Sequence, residues 1–368
     1  MTFSQINLKN LENNTRTIKE LVNDTEIMAI VKADAYGHGA VECSKTVIKG
    51  GASCLGVATF EEAMELRAAG IKESIVILTH IDPKNYREAI LNDLSMTVSY
   101  FQQASAMQKK AIALGKAAKI QIKINTGLNR NGFRASERVV RDIITVGTGK
   151  NLNVEGVYSH LADASDTEFT DYQQKLFEFI TTNVARYFKF KRHIAASSCI
   201  LESPELNYEM VRPGLILYGI NPQETSVKLL NLKPVMSLHS KVSFIHKVPE
   251  GETIGYDRSY VAERDSVIAI VPIGYADGYP STLSNRARVL IKGNYCMVVG
   301  KVCMDQIMVD ITEIEHKVDY EYTVVTLFGE DYDSDKKIKI EEISKISGLS
   351  IRELMCARSS RRVPKVFV

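Results

Sequence analysis

Lys32, His160, Ser197 and Arg212 each fall where an apolar, strand-like run ends, and Arg130 follows a fifth such run. Lys32 follows Glu26–Ile27–Met28–Ala29–Ile30–Val31 and precedes Gly37 and Gly39, which permit a tight turn and a following helix. An amine so placed has its stem among apolar residues. Desolvation and neighbouring cations lower a lysine pKa, which makes it a nucleophile able to form an imine. Taken singly, each of the five has an ordinary explanation: a solvated strand-end lysine, a satisfied buried histidine, rim ion pairs and a helix cap. Five that converge on one rim, after strands one, five, six, seven and eight, point instead to one site.

The elements that must carry them alternate. Strand-like runs over 26–31, 54–58, 74–78, 96–98, 119–124, 154–158, 193–196 and 210–212 are followed by helical stretches. These helices cover about 40–49, 60–67, 84–91, 102–114, 137–146 and 169–187, with a short turn or helix through Glu205. The eighth unit runs on through Leu215–Tyr218. Eight strand–helix units predict parallel pairing and a closed (β/α)8 barrel, whose active site forms at the C-terminal strand ends. An open doubly wound sheet is the alternative, but no G-x-G-x-x-G loop follows the first strand. Past Pro222 the texture changes to short β-branched runs at 236–246, 266–273, 286–291, 295–302, 306–311 and 322–327, then a helix at Ile340–Ser347 and a basic tail. The expected fold is α/β: a barrel over 1–225 followed by a mainly-β domain over 226–368.

With 368 residues, 45% hydrophobic and 24% charged, the chain has the composition of a soluble globular protein of about two domains. A net charge near +2 leaves no electrostatic footprint for nucleic acid or a membrane surface. The six cysteines are scattered without a C-x-x-C pair, so buried thiols in a reducing, cytoplasmic setting are expected, with no metal site. No apolar run has transmembrane length. The chain opens abruptly at Met1–Thr2–Phe3–Ser4, as a domain cut from a longer protein would.

The reactive residues suit pyridoxal phosphate, which requires an amine, groups around its ring and a phosphate cradle. Ser197 and the amides around Gly214–Leu215 supply that cradle after strands seven and eight. Five segments carry a closer likeness: Val31–Gly39, Arg212–Gly219, Ile254–Tyr260, Ile273–Tyr279 and Val302–Gln306. In that order they resemble the alanine racemase family of fold-type III pyridoxal-phosphate enzymes over essentially the whole chain. The resemblance implies that Lys32 carries the cofactor and is the base on one face of the substrate carbon. Tyr256 is then the base on the other face, contributed by the β domain of a partner in a homodimer. It further implies that Tyr36, Ser197, Gly214 and Leu215 hold the phosphate, and that Arg130 holds the substrate carboxylate and the phenolic oxygen of the cofactor. The Met304 amide also serves the carboxylate, and Tyr275 lines the approach. Inverting one carbon needs two acid–base groups, and His160 with Arg212 behind it would lower the pKa of the tyrosine. Arg212 at the pyridine nitrogen cannot lose its proton or accept a hydrogen bond, so that nitrogen must accept. A ring left unprotonated is a weaker electron sink, which limits side reactions.

Three positions depart from the family pattern or qualify it. Lys123 stands where many members carry a carbamylated lysine that orients the arginine. Ala196 replaces a common asparagine. Arg352 replaces a tyrosine that touches the phosphate and walls the side-chain pocket, with Ser360 as the other candidate lining residue. A wider, wetter pocket helps a hydroxylated substrate, since an unpaired hydroxyl costs about 1–3 kcal/mol. The reading is therefore racemisation of alanine, serine or both, supplying D-amino acid for peptidoglycan precursors. The serine reading resembles the racemase of vancomycin resistance, whose domain lies behind a membrane segment. The alternatives are a barrel-type decarboxylase, for which Cys303 is the candidate thiol, and a pyridoxal-phosphate carrier, which would lack the β domain and Tyr256.

Overall fold

The computed structural model describes residues 2–222, 230–320, 322–357 and 362–368. The chain divides into two compact units, one of residues 9–35 and 39–233, the other of residues 2–8, 36–38 and 234–368.

In the first unit eight parallel strands stand in the order eight, one, two, three, four, five, six, seven. They are Glu26–Ile30, Cys54–Val57, Ser74–Ile77, Ser95–Val98, Ala118–Asn125, Leu152–Tyr158, Lys191–His193 and Met210–Val211. Cys54–Val57 and Ser95–Val98 are buried at every residue, as expected where helices cover a parallel sheet. Strand one registers on strand two as Met28 with Cys54, Ala29 with Leu55 and Ile30 with Gly56. The ring closes through a parallel bridge between Ala196 and Arg212, with Arg212 N–H donating to Ala195 O at 2.9 Å. Because every strand runs the same way, residues 32, 126, 159–160, 195–197 and 212 share one rim.

The helices follow from local signals. Thr59 caps Phe60–Ala68 in a capping box with Glu62, Ser136 caps Glu137–Gly147 and Asp166 caps Thr167–Val184. Gly115 closes Phe101–Leu114 in the left-handed region. The expected helix at 169–187 lies slightly earlier, because Asp166 starts it. The eighth unit is short: after Met210–Val211 the segment Leu215–Tyr218 is a 3-10 turn. Helix Leu8–Val22, which the barrel pattern did not include, buries Leu11, Ile18 and Val22 together with the polar Asn10, Asn14 and Thr15. Asn14 donates to the carbonyls of Leu217 (3.0 Å) and Lys233 (2.8 Å). Half of the helix's buried residues are polar, and it precedes the first strand of the strand–helix repeat.

The second unit is a long sheet running Phe244–Val248, Ser266–Val271, Ile307–Asp310, Asn294–Val299, Arg288–Ile291, Val324–Glu330, Met236–Lys241, Phe3–Ile6 and Lys365–Phe367. The run expected over 236–246 is two strands, interrupted near Val242–Ser243. The abrupt beginning of the chain is itself a strand: Phe3–Ile6 pairs antiparallel with Met236–Lys241 and parallel with the tail, Ser4 opposite Lys365. The expected first domain of residues 1–225 therefore yields its opening strand to the β unit, since only there does that strand find pairing partners.

Candidate active site

Lys32 opens a turn that no local rule predicts. Ala33, Asp34, Ala35 and Tyr36 are all left-handed, at φ 53°, 54°, 53° and 53°, and Gly37 follows at 79°. An ordinary turn and helix were expected there. Left-handed non-glycine residues cost about 1–2 kcal/mol each, so the segment stays in place only where its surroundings hold it. Ala33 N–H donates to Glu62 Oε1 (2.8 Å), whose other oxygen accepts from Ala58 N–H (2.7 Å). Asp34 accepts from Ala40 N–H (2.7 Å) through Oδ1. Ile30 N–H donates to Pro213 O (3.0 Å), which sets the lysine end of strand one alongside Gly214.

The barrel unit gathers cations. Lys123, only 4% exposed on strand five, has its pKa lowered to about 8 by burial and by the charges of Arg130, Arg212 and Lys32. Arg130 sits on a turn built by Asn125, whose Oδ1 accepts from Gly127 N–H (3.1 Å) and Asn129 N–H (3.0 Å). Arg212 is buried, and burial lowers its pKa to about 10, so it stays charged at neutral pH. It donates to His193 Nδ1 (2.9 Å), His193 O (2.7 Å), Ser159 O (2.7 Å), Ile194 O (2.9 Å) and His160 Nδ1 (3.1 Å).

Because arginine only donates, both imidazoles present a bare Nδ1 and carry their proton on Nε2. That of His193 reaches Gln121 Oε1 at 3.1 Å. Burial and the four neighbouring cations push the His160 pKa down to about 3, so it is neutral. Tyr158 completes the layer. Its ring stacks on His193 at 4.9 Å, and Lys123 Nζ and the Arg212 guanidinium each lie 5.4 Å from its centroid. The electron-rich face of Tyr158 thus stands where a carboxylate would ordinarily compensate two cations. The motif reading passed over this tyrosine, for which an apolar strand end offers no signal.

Ser197 and Gly214 meet, with Gly214 N–H donating to Ser197 Oγ at 3.0 Å and Leu215 opening the next turn. Tyr218 Oη donates to Ile30 O (2.9 Å), tying that turn to the lysine strand.

The β unit holds the remaining residues. Tyr36 is packed there with its hydroxyl under the charge of Arg352, and burial pushes its pKa up to about 12. Gly37 makes that packing possible: a Cβ on it would lie 2.2 Å from Met355 O, and its φ is positive. Arg352 lies in the first turn of helix Ile351–Cys356, capped by Ser350 and Glu353. Ser360 lies outside the described residues.

Tyr256, Tyr275 and Met304 are 68%, 50% and 57% exposed. Tyr275 N–H donates to Cys303 O (3.0 Å) and Ala276 N–H to Met304 O (2.9 Å). A Cβ on Gly274 would come within 2.4 Å of Asp305 N and 2.3 Å of Cys303 O, so the two loops form one piece. Asp277, also passed over, holds it by accepting from Gly274 N–H (2.9 Å) and Arg362 Nε (2.7 Å). The Cys303 thiol points to Lys301 O (3.5 Å), and burial raises its pKa, which suits an acid–base role poorly.

Two family models match in sequence order: the alanine racemase N-terminal domain over residues 6–222 and the C-terminal domain over 235–367. The chain belongs to the alanine racemase family. An alanine racemase of Clostridium novyi is 40% identical over 371 residues, covering all of this chain and 95% of that one. An alanine racemase of Methanococcus maripaludis is 40% identical, covering 100% and 98%. Among solved structures, alanine racemase of Clostridium difficile 630 superposes with a TM-score of 0.92 at 36% identity, covering 100% and 95%. Alanine racemase from E. faecalis superposes with a TM-score of 0.89 at 30% identity, covering 100% and 98%.

As a member of this family the protein is a pyridoxal-phosphate-dependent amino-acid racemase, an isomerase acting on a small amino acid. Its own residues fit that cofactor. The charges acting on Lys123 and on His160 are all positive, and a cluster of cations beside a hydroxyl and backbone amides matches a phosphate and a carboxylate. Nη1 and Nη2 make all five of the Arg212 bonds, Nη2 sharing its two hydrogens among three acceptors, so Nε–H is the Arg212 donor not engaged in them and suits an acceptor nitrogen.

Proposed function

We propose that the protein interconverts L- and D-alanine by a two-base route, with Lys32 and Tyr256 on opposite faces, and that it also accepts serine. The observation that supports this most directly is the barrel rim itself: Lys32 among Lys123, Arg130 and Arg212, beside a neutral His160. When bound, pyridoxal phosphate supplies the electron sink that makes the substrate Cα–H acidic.

Lys32 would anchor the cofactor and would hold or return a proton on its own face of the substrate carbon. Tyr36, Ser197 Oγ and the amides of Gly214 and Leu215 take the phosphate, and Arg130 and the Met304 amide take the carboxylate. His160, kept neutral by Arg212, offers an Nε2–H donor to a phenolate and takes no proton from it. Lys123, an amine with a pKa of about 8 among cations, is suited to carbamylation, which would replace a repelled positive charge by a negative one beside Arg130.

The exposure of Tyr256, Tyr275 and Met304 supports a homodimer in which each copy completes the site of the other. The setting is cytoplasmic. Among the described residues no helix is long and apolar enough to cross a membrane.

Purified protein should be yellow, and borohydride should fix the cofactor on the peptide containing Lys32. Label on another lysine would overturn the assignment. Incubation with L-alanine should lose optical rotation without releasing carbon dioxide; gas release with chirality retained would establish the decarboxylase instead.

Acceptance of serine rests on Arg352. Its charge acts on the Tyr36 hydroxyl, which supports a role for both toward the phosphate, and its fork of donors can serve a phosphate oxygen while leaving the pocket wider than a tyrosine would. Arg352→Tyr should lower kcat/KM for serine relative to alanine by about tenfold, equivalent to about 1.4 kcal/mol. An unchanged ratio would remove Arg352 from the specificity pocket.

A further inference from the structure

We propose that Asn285 is a positioning residue for racemisation. The two ends of its side-chain amide set the turn carrying Tyr256 and the segment leading to Met304, so the inference rests on the roles proposed for those two residues. Asn285 lies between the 3-10 turn Ser281–Leu283 and strand Arg288–Ile291, at φ 57°. Asparagine is among the few residues that occupy this region readily. Its base is rigid, since Arg286 N–H and Ala287 N–H both donate to Leu283 O, at 3.1 and 3.0 Å.

From that base Nδ2 donates to Ser259 O (3.1 Å), which ends the turn Tyr256–Arg258, and lies 3.4 Å from Ser259 Oγ. Oδ1 accepts from Gly300 N–H. The neighbouring Ser284 Oγ accepts from Val302 N–H (2.9 Å), two residues before Met304.

The two segments also abut directly. A Cβ on Gly255 would lie 3.2 Å from Lys301 N, and one on Gly300 would lie 2.9 Å from Ile254 O. Lys301 further pairs with Asp257. An exposed turn that must deliver a phenol to one face of a carbon, while a nearby amide holds the carboxylate of the same substrate, needs their separation fixed to about 0.5 Å. A single planar amide that donates to one segment and accepts from the other supplies that constraint.

The donor and acceptor halves can be separated by mutation. Asn285→Asp keeps the acceptor for Gly300 N–H and tolerates the left-handed φ, but it loses the donor to Ser259 and so releases only the Tyr256 turn. Asn285→Gly loses both bonds without backbone strain. The measurements are deuterium exchange at Cα of L- and D-alanine and the KM for alanine, on the holoenzyme, with Tyr256→Phe alongside.

Asn285→Asp should slow exchange from L-alanine about tenfold, leaving exchange from D-alanine and KM within about twofold. Asn285→Gly should show the same isomer bias with KM raised about fivefold. Equal losses for both isomers in the Asp variant, or none, overturn the proposal. So does a fall in Tm with the isomer ratio unchanged, the mark of a purely structural residue. If Tyr256→Phe is isomer-selective and the Asp variant is not, the Asn285 role alone falls. If Tyr256→Phe is itself unselective, the base assignment falls and takes this role with it.

Discussion

Tyr256→Phe is expected to slow deuterium exchange at Cα of L-alanine by roughly 10²–10⁴, the loss that follows removal of a general base. Exchange from D-alanine, served by Lys32, should change little. The asymmetry is the informative quantity, because one base serving both faces would lose both exchanges together. The substitution removes one hydroxyl from a ring that is 68% exposed. The turn beneath it rests on backbone, the Lys301–Asp257 pair and a small core of Val248, Ile254, Ala262, Ile268, Val299 and Met308, none of which depends on that hydroxyl. Stability should therefore stay within about 0.5 kcal/mol, as for most surface changes, and exchange followed by proton NMR on the holoenzyme reports chemistry alone. Equal slowing for both isomers would assign the two faces to a single group.

The second large effect is complementation between two inactive variants. Lys32→Ala removes the amine proposed to anchor the cofactor, and Tyr256→Phe removes the proposed opposite base, so each variant on its own is expected to be inactive. If every site draws its lysine from one copy and its tyrosine from the other, a heterodimer of the two has one intact site and one doubly damaged site. Random mixing makes half of the dimers mixed, so recovery should approach about one quarter of wild-type activity. Subunit exchange must be demonstrated in the same sample, for example by mass-tagged copies. Exchange without recovery would place Lys32 and Tyr256 in one chain's site and remove the need for a dimer.

Much of this protein was legible before any coordinates. Buried β-branched runs alternating with capped helices are local signals, and eight of them suffice for a parallel barrel whose reactive rim follows from strand direction alone. Lys32, His160, Ser197 and Arg212 could be placed there because each directly follows or ends such a run. The change of texture after Pro222 marked the β unit for the same reason: hydrophobic period and turn chemistry are read within a few residues.

What tertiary structure alone decided is whatever depends on distant partners. The chain's first strand joins the β unit because its partners lie at Met236–Lys241 and Lys365–Phe367, more than two hundred residues away. Four consecutive left-handed residues after Lys32 carry no local signal, since three of them are alanine or tyrosine, and contacts such as those of Glu62 and Ala40 hold them. The neutral state of His160, the lowered pKa of Lys123 and the Tyr158 face beneath two cations exist only once separate strands bring like charges together in a buried place. A sequence names which groups can carry charge; the distances between them, and the water excluded around them, set which charges persist.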